Sequence, residues 1–376
     1  MKTDLRIPVT LLTGFLGAGK TTLLNQLMKD ASAGRIAVIV NELGEAGLDH
    51  DLIEEATEET ILMHSGCLCC TMRGDIAKTL GQLMIRRNLG ELAFDRVVIE
   101  TTGIADPGPI LHTLVVDSVI APDFRLDGVV TVADAATGPA TLDTQREAVE
   151  QVAMADLVVV NKIDLVPVKQ VSKFEERLKK LNAAARMVRT INGQLDVAEI
   201  FGLSAMRTNV SPLKMDDWLG ATASAPDPLA GLSGFAPKQE VSPTCFQSTL
   251  VPQSHHESRI NSASLEIDEP IPAGLFDFWL EKLVAMNGQN ILRIKGIVHV
   301  KGMELPFVFH GVQHIFDAPV PLKSWSGGDT KSRVVIIARD MSEETLAASL
   351  KTLKLQPAGS QKSEDGMMVH TTEITI

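Results

Sequence analysis

Short apolar, β-branched runs recur through the first two hundred residues, separated by longer stretches with helical spacing. Arg6–Thr13 reads as a strand and Thr21–Lys29 as the helix that follows it. Ile36–Val40, Arg96–Ile99, Val129–Val132 and Leu157–Val160 are further runs, apolar at consecutive positions rather than alternating ones. Strands of that kind are buried on both faces, which is the habit of a parallel sheet with helical crossovers. The pattern predicts an α/β domain of three layers with a mainly parallel sheet.

The pattern then changes. Gly220–Glu240 is rich in Ala, Pro, Ser and Gly and carries no period, as a linker does. Beyond it, Ser264–Ile267, Ile291–Val300, Leu305–His310 and Arg333–Ala338 read as strands. Ala273–Met286 sets Leu275, Phe276, Trp279, Leu280 and Leu283 on one helical stripe, and Glu343–Leu353 reads as a closing helix. This predicts a smaller α+β unit, one antiparallel sheet with helices on one face. The expected division is 1–215 for the first domain, 216–244 for the linker, 245–353 for the second domain and 354–376 for a polar tail, in which Met368–Ile376 is a candidate edge strand.

Charge and length narrow the classes. The 35 basic and 47 acidic residues give a net charge of −12, which argues against a phosphate-backbone partner such as nucleic acid. No run of about 18 apolar residues offers a membrane span, and Met1–Arg6 lacks a signal-peptide core. Three of the four cysteines crowd into Cys67, Cys69 and Cys70, which is no disulfide framework, so a cytoplasmic protein with a reactive or metal-binding thiol cluster is expected.

Three motifs carry chemistry. Between the first strand and helix, GFLGAGKTT at 14–22 satisfies G-x-x-x-x-G-K-[ST] with Gly14, Gly19, Lys20 and Thr21. Gly14, Gly17, Ala18, Gly19 and Thr22 let the backbone wrap phosphates at a helix N-terminus. Lys20 reaches the β- and γ-phosphates and the Thr21 hydroxyl binds Mg²⁺. Asn161-Lys162-Ile163-Asp164 ends a buried strand. There Asp164 can accept two hydrogen bonds from guanine, Lys162 can lie along the base and Asn161 can brace the loop. The alternative is an exposed polar turn. The run from Val97 to Gly103 ends its strand in Glu100, where an acid orients Mg²⁺ or the attacking water. Lys20 and Glu100 are therefore the catalytic candidates. Cys67 and Cys69 project to one face of an extended segment, and with Cys70 they suit Zn²⁺ or another borderline-to-soft ion. A redox thiol pair or small buried residues are the alternatives. Cys245 stands alone and reads as structural. His64, the pair His255-His256, and His299, His310 and His314 receive no role.

With PVTLLTGFLGAGKTTLLN (8–25), VNELGEAGLDHDL (40–52), GCLCCTMRGD (66–75), VVIETTGIADP (97–107), LDGVVTVADA (126–135) and ADLVVVNKIDL (155–165) in that order, the chain resembles the CobW-like P-loop GTPases. ILRIKGIVHVKG (291–302), GVQHI (311–315) and SRVVIIARDM (332–341) resemble that family's C-terminal module. The resemblance implies GTP hydrolysis with Mg²⁺ and a transition metal, Zn²⁺ or Co²⁺, held by Cys67, Cys69 and Cys70 with Glu42 as an additional ligand. It implies that 41–49 senses the nucleotide and that metal passes to a client protein; a homodimer is left open. A nucleotide-dependent scaffold whose cysteines sense oxidation is the competing reading. A small-molecule kinase is a second one, which the NKID sequence opposes.

Overall fold

The computed structural model describes residues 4–41, 60–65, 72–204, 259–313, 315–316, 319–322, 325 and 330–354. Glu42, Cys67, Cys69, Cys70, Cys245, the 255–256 histidine pair, His314, the 216–244 linker and the 368–376 candidate strand lie outside the described residues.

The first two hundred residues form one parallel sheet. Its strands are β1 (Ile7–Gly14), β2 (Ile36–Asn41), β3 (Thr60–Ser65), β4 (Arg96–Thr101), β5 (Phe124–Asp134), β6 (Leu157–Asn161) and β7 (Arg186–Arg189), in the order β3-β2-β4-β1-β5-β6-β7. All its pairings are parallel. Alternate residues of each strand feed opposite faces, as a two-residue period requires. Val9, Leu11, Ile39, Ile99, Val129 and Val160 pack on one side, against α2 (Met72–Asn88), α3 (Gly108–Val116), α5 (Arg146–Met154) and α6 (Val168–Leu181). Leu12, Val38, Val98, Val130 and Val159 pack on the other, against α1 (Lys20–Lys29) and the short α7 (Val197–Ile200). The short α4 (Gly138–Thr144) precedes α5. Because both faces are covered, the strands read as continuous apolar runs.

The chain leaves β1 toward one side of the sheet and later fills the other side with β5. The carboxyl end of β1 is thus the point where strand order reverses, the place where such sheets open a crevice for ligands.

Two strands lie outside the sequence expectations. β3, with the sequence TILMHS, forms the edge beside β2, and β7, RMVR, forms the opposite edge. β5 begins five residues earlier than its apolar run suggests, because Asp127 is buried there and its carboxylate accepts a 2.6 Å hydrogen bond from the Gly202 amide.

The second unit is an antiparallel sheet of β8 (Ile260–Ile267), β9 (Ile291–Val298), β10 (Phe307–Val312), β11 (Ile315–Phe316), β12 (Val320–Pro321) and β13 (Ser332–Arg339). One face packs on α8 (Ala273–Asn287) and α9 (Glu343–Lys351) through Phe276, Trp279, Leu283, Leu346 and Leu350. Ser342 caps α9, its hydroxyl accepting from the Thr345 amide. The opposite face rests on the first domain, and Leu292, Val312 and Ile337 join the same core as α5. Arg293 and Lys295 of β9 are 2% and 1% exposed. Both pair with Asp156, just before β6, Lys295 at 2.9 Å. Arg339 pairs with Glu150 of α5. His310 lies in β10 and His299 one residue beyond β9; the His299 ring meets Trp325 edge-on.

Candidate functional site

The phosphate-binding candidates occupy the reversal point. Gly19 caps α1 with φ 101°, in the left-handed region, and a Cβ there would stand 2.3 Å from the Asn161 Nδ2. Only glycine fits both demands. Beyond it, α1 begins with its first amides turned toward the loop. Lys20 is buried, and its Nζ donates to the Gly14 carbonyl at 2.9 Å and to that of Phe15 at 3.4 Å. The cation is thus folded into the loop that it serves.

Thr21 donates its hydroxyl to Glu100 Oε1 at 2.8 Å. Glu100 is 4% exposed, in the middle of the carboxyl edge. A hydroxyl and a buried carboxylate side by side are hard oxygen donors, a set that fits Mg²⁺. Behind them, Thr101 donates to the Thr13 hydroxyl at 2.9 Å, tying β4 to β1.

The NKID segment is stitched to the phosphate loop. Asn161 donates from Nδ2 to the Ala18 carbonyl at 3.0 Å, and Lys162 from Nζ to the Gly17 carbonyl at 2.7 Å. Lys162 has φ 58° and starts the 3₁₀ turn Ile163–Leu165, which leaves Asp164 exposed beside the loop. A carboxylate presented to solvent at a strand end is available to accept from the edge of a base. The structure therefore brings together Gly14, Gly17, Ala18, Gly19, Lys20, Thr21, Thr22, Glu100, Asn161, Lys162 and Asp164 at one edge of one sheet.

Three further features join this edge that no motif announced. Asp134, at the end of β5, accepts from Lys162 Nζ at 2.8 Å and from the amide of Ala136 at 2.7 Å. Burial pushes its carboxyl upward, and the Lys162 ammonium with the Ala136 and Thr137 donors outweighs that, so its pKa lies below the ordinary value. A strand-terminal acid was the available hint. The segment after β7 stays tied to β6, where the Thr190 amide donates to the Val160 carbonyl at 2.9 Å, and then closes on α1, where a Cβ on Gly193 would stand 2.8 Å from the Leu23 Cα. Gln151, buried on α5, donates to the carbonyls of Gly103 and Ala105.

Asn41, Ser65 and Thr101 stand in register at the carboxyl edge of adjacent strands. Glu42 follows Asn41 directly, and Cys67 lies two residues after Ser65. Among the described residues, no three His, Cys, Asp or Glu side chains converge as a metal set. No described helix is long and apolar enough to cross a membrane.

A glycine-rich loop, its lysine, a threonine–carboxylate pair and an NKxD turn on a parallel sheet define a P-loop nucleotide-binding protein of the guanine-reading kind. The match is more specific than that. Residues 8–189 match the CobW/HypB/UreG nucleotide-binding domain, and residues 260–354 match the cobalamin synthesis protein cobW C-terminal domain. The chain belongs to the CobW family. It is 30% identical over 348 residues to the zinc chaperone YjiA of Escherichia coli, covering 93% of this chain and 99% of that one. It is 38% identical over 207 residues to the zinc-regulated GTPase metalloprotein activator 1 of Schizosaccharomyces pombe, covering 53% and 49%. The crystal structure of Zn(II)-bound YjiA GTPase from E. coli superposes with a TM-score of 0.65 at 27% identity over 93% of this chain and 99% of that chain.

Proposed function

We propose that this chain is a GTP-hydrolysing metallochaperone that holds a transition metal, Zn²⁺ in the first instance, through Cys67, Cys69 and Cys70 with Glu42, and passes it to a client protein. The working division is 1–215 for the GTPase domain, 216–244 for a linker, 245–353 for the second domain and 354–376 for a tail. The names of the relatives support GTP hydrolysis and favour zinc over cobalt. Reduced thiols suit the cytoplasm.

Lys20 and the amides at the start of α1 neutralise the β- and γ-phosphates, and Asp164 selects guanine. Mg²⁺, held by Thr21 with Glu100 orienting its water, would supply charge neutralisation at the phosphate oxygens. Glu100 positions the attacking water.

The observation that carries the metal reading is the register of Asn41, Ser65 and Thr101. The strands that precede the candidate ligands in sequence end in register at Asn41 and Ser65, beside Thr101, the residue after Glu100. A change in the 41–49 segment on loss of the γ-phosphate is the proposed link between the nucleotide and the metal. Delivery requires different metal affinities in the two nucleotide states, because equal affinity moves no population.

The test is a Zn²⁺ competition titration under reducing conditions, with GDP and with a non-hydrolysable GTP analogue. The expected result is at least a ~10-fold difference in Kd, about 1.4 kcal/mol, which replacement of Cys67, Cys69 and Cys70 by Ser abolishes together with the tight binding itself. Equal affinities in both nucleotide states would refute delivery; tight binding that survives the serines would move the metal site elsewhere.

A further inference from the structure

Gln151 lies in α5 with 1% of its surface exposed. Its main-chain carbonyl accepts from the Thr131 hydroxyl at 2.8 Å, which fixes that turn of the helix to β5. Its Nε2 donates to the Gly103 carbonyl at 3.2 Å and to the Ala105 carbonyl at 3.1 Å. One amide group therefore grips two carbonyls that flank Ile104, in the turn directly after β4.

That turn also leans on the phosphate loop. A Cβ on Gly103 would stand 2.5 Å from the Leu16 amide nitrogen, so the two backbones are in direct contact. A cavity of about 30 Å³ lined by Phe15, Leu16, Gln151 and Phe174 lies between the loop and α5. Packing across that gap is incomplete, and the polar tie through Gln151 sets the spacing. The turn follows within three residues of Glu100, the carboxylate that accepts from Thr21.

The same helix anchors the second domain. Glu150, the residue before Gln151, pairs with Arg339, and Asp156, two residues beyond the helix, pairs with Arg293 and Lys295. A nine-residue helix is stiff over this length, so displacement of the second domain reaches the Gln151 amide.

We propose that Gln151 is a positioning residue for GTP hydrolysis: its amide sets the Gly103–Ala105 backbone for the γ-phosphate, and through α5 it makes that setting depend on the docked second domain. This rests on the GTPase reading. The turn follows the Thr21–Glu100 pair that the GTPase reading assigns to Mg²⁺ and the terminal phosphate, so loss of the donors is expected to separate GTP from GDP.

The test uses the full chain with Gln151→Met, which keeps length and volume and removes both donors. GDP affinity is expected to stay near wild type, while the melting temperature falls by a few degrees because two buried carbonyls lose their donor. Affinity for a non-hydrolysable GTP analogue is expected to fall about 10-fold, and kcat by a similar or larger factor. Arg339→Met should lower analogue affinity in the same sense by a smaller factor. If Gln151→Met fails to fold, Gln151→Leu serves the same comparison. Parallel losses for GDP and analogue would make Gln151 merely structural and overturn the proposal, as would unchanged turnover. An Arg339→Met protein with wild-type analogue affinity would overturn the link to the second domain. Absence of hydrolysis in the wild type would instead defeat the underlying GTPase reading.

Discussion

Asp156→Asn isolates the electrostatics that hold the two domains together. Asp156 is buried, and the Arg293 and Lys295 that pair with it are 2% and 1% exposed, so one anion faces two cations away from water. Asparagine keeps the shape and can still accept the 2.9 Å hydrogen bond from the Val129 amide. What it removes is the charge, leaving two buried cations uncompensated. Breaking one side of such a pair costs about 3–5 kcal/mol. At roughly 2–4 °C per kcal/mol for a unit of this size, the melting temperature should drop on the order of 10 °C. The pH dependence gives an independent reading. Burial pushes the Asp156 carboxyl upward, but Arg293 and Lys295 outweigh it and hold the pKa well below its ordinary value of 3.8. Its contribution is therefore complete above about pH 4 and declines as pH falls toward the folded value. Burial depresses the Lys295 ammonium, and Asp156 opposes that depression. In the variant the lysine sheds its proton more readily, so the variant should recover part of the loss as pH rises toward the lysine's ordinary 10.5. Circular-dichroism melts across pH, with Lys295→Met in the Asp156→Asn background as partial rescue, measure all of this. A melting temperature within about 1 °C of wild type at pH 7 would refute the claim that this triad holds the domains.

Lys20→Ala should lower GTP turnover at least ~100-fold, because it removes a buried, phosphate-directed cation from the loop; a phosphate-release assay with unchanged kcat would remove the phosphate-loop argument. Asp164→Asn should weaken GTP binding by about 2–3 kcal/mol, roughly 30- to 150-fold, since an amide matches only part of the donor edge of guanine; retained affinity in a fluorescent-nucleotide titration would show that Asp164 does not read the base.

The legible parts of the sequence were those in which local pattern and tertiary role coincide. β1 and β6 are apolar at successive positions, and each ends in a motif whose residues the fold then brings into contact, as the Asn161–Ala18 hydrogen bond shows. β7 was not legible because an edge strand with arginines at both ends carries no buried signature. The start of β5 was hidden by Arg125 and Asp127, charged residues in a covered strand whose partners are each other, Asp4 and the Gly202 amide. Arg293 and Lys295 alternate along β9 as solvent-facing positions would, and only docking on Asp156 reveals that they are interior. Asp134 and Gln151 illustrate the same limit at the site. Their side chains act through distant backbone or a lysine 28 residues on, and no spacing rule announces that.

The shared core sets a rule for dissecting this molecule. Leu292, Val312 and Ile337 belong to the same core as Val149 and Val152, so a fragment that stops at the linker would lose part of that core and leave the Asp156 carboxylate without Arg293 and Lys295. Kinetic constants taken from such a truncated preparation would describe a wounded engine. The natural unit for enzymology, and for any attempt to transplant this activity into another scaffold, is the pair of domains together.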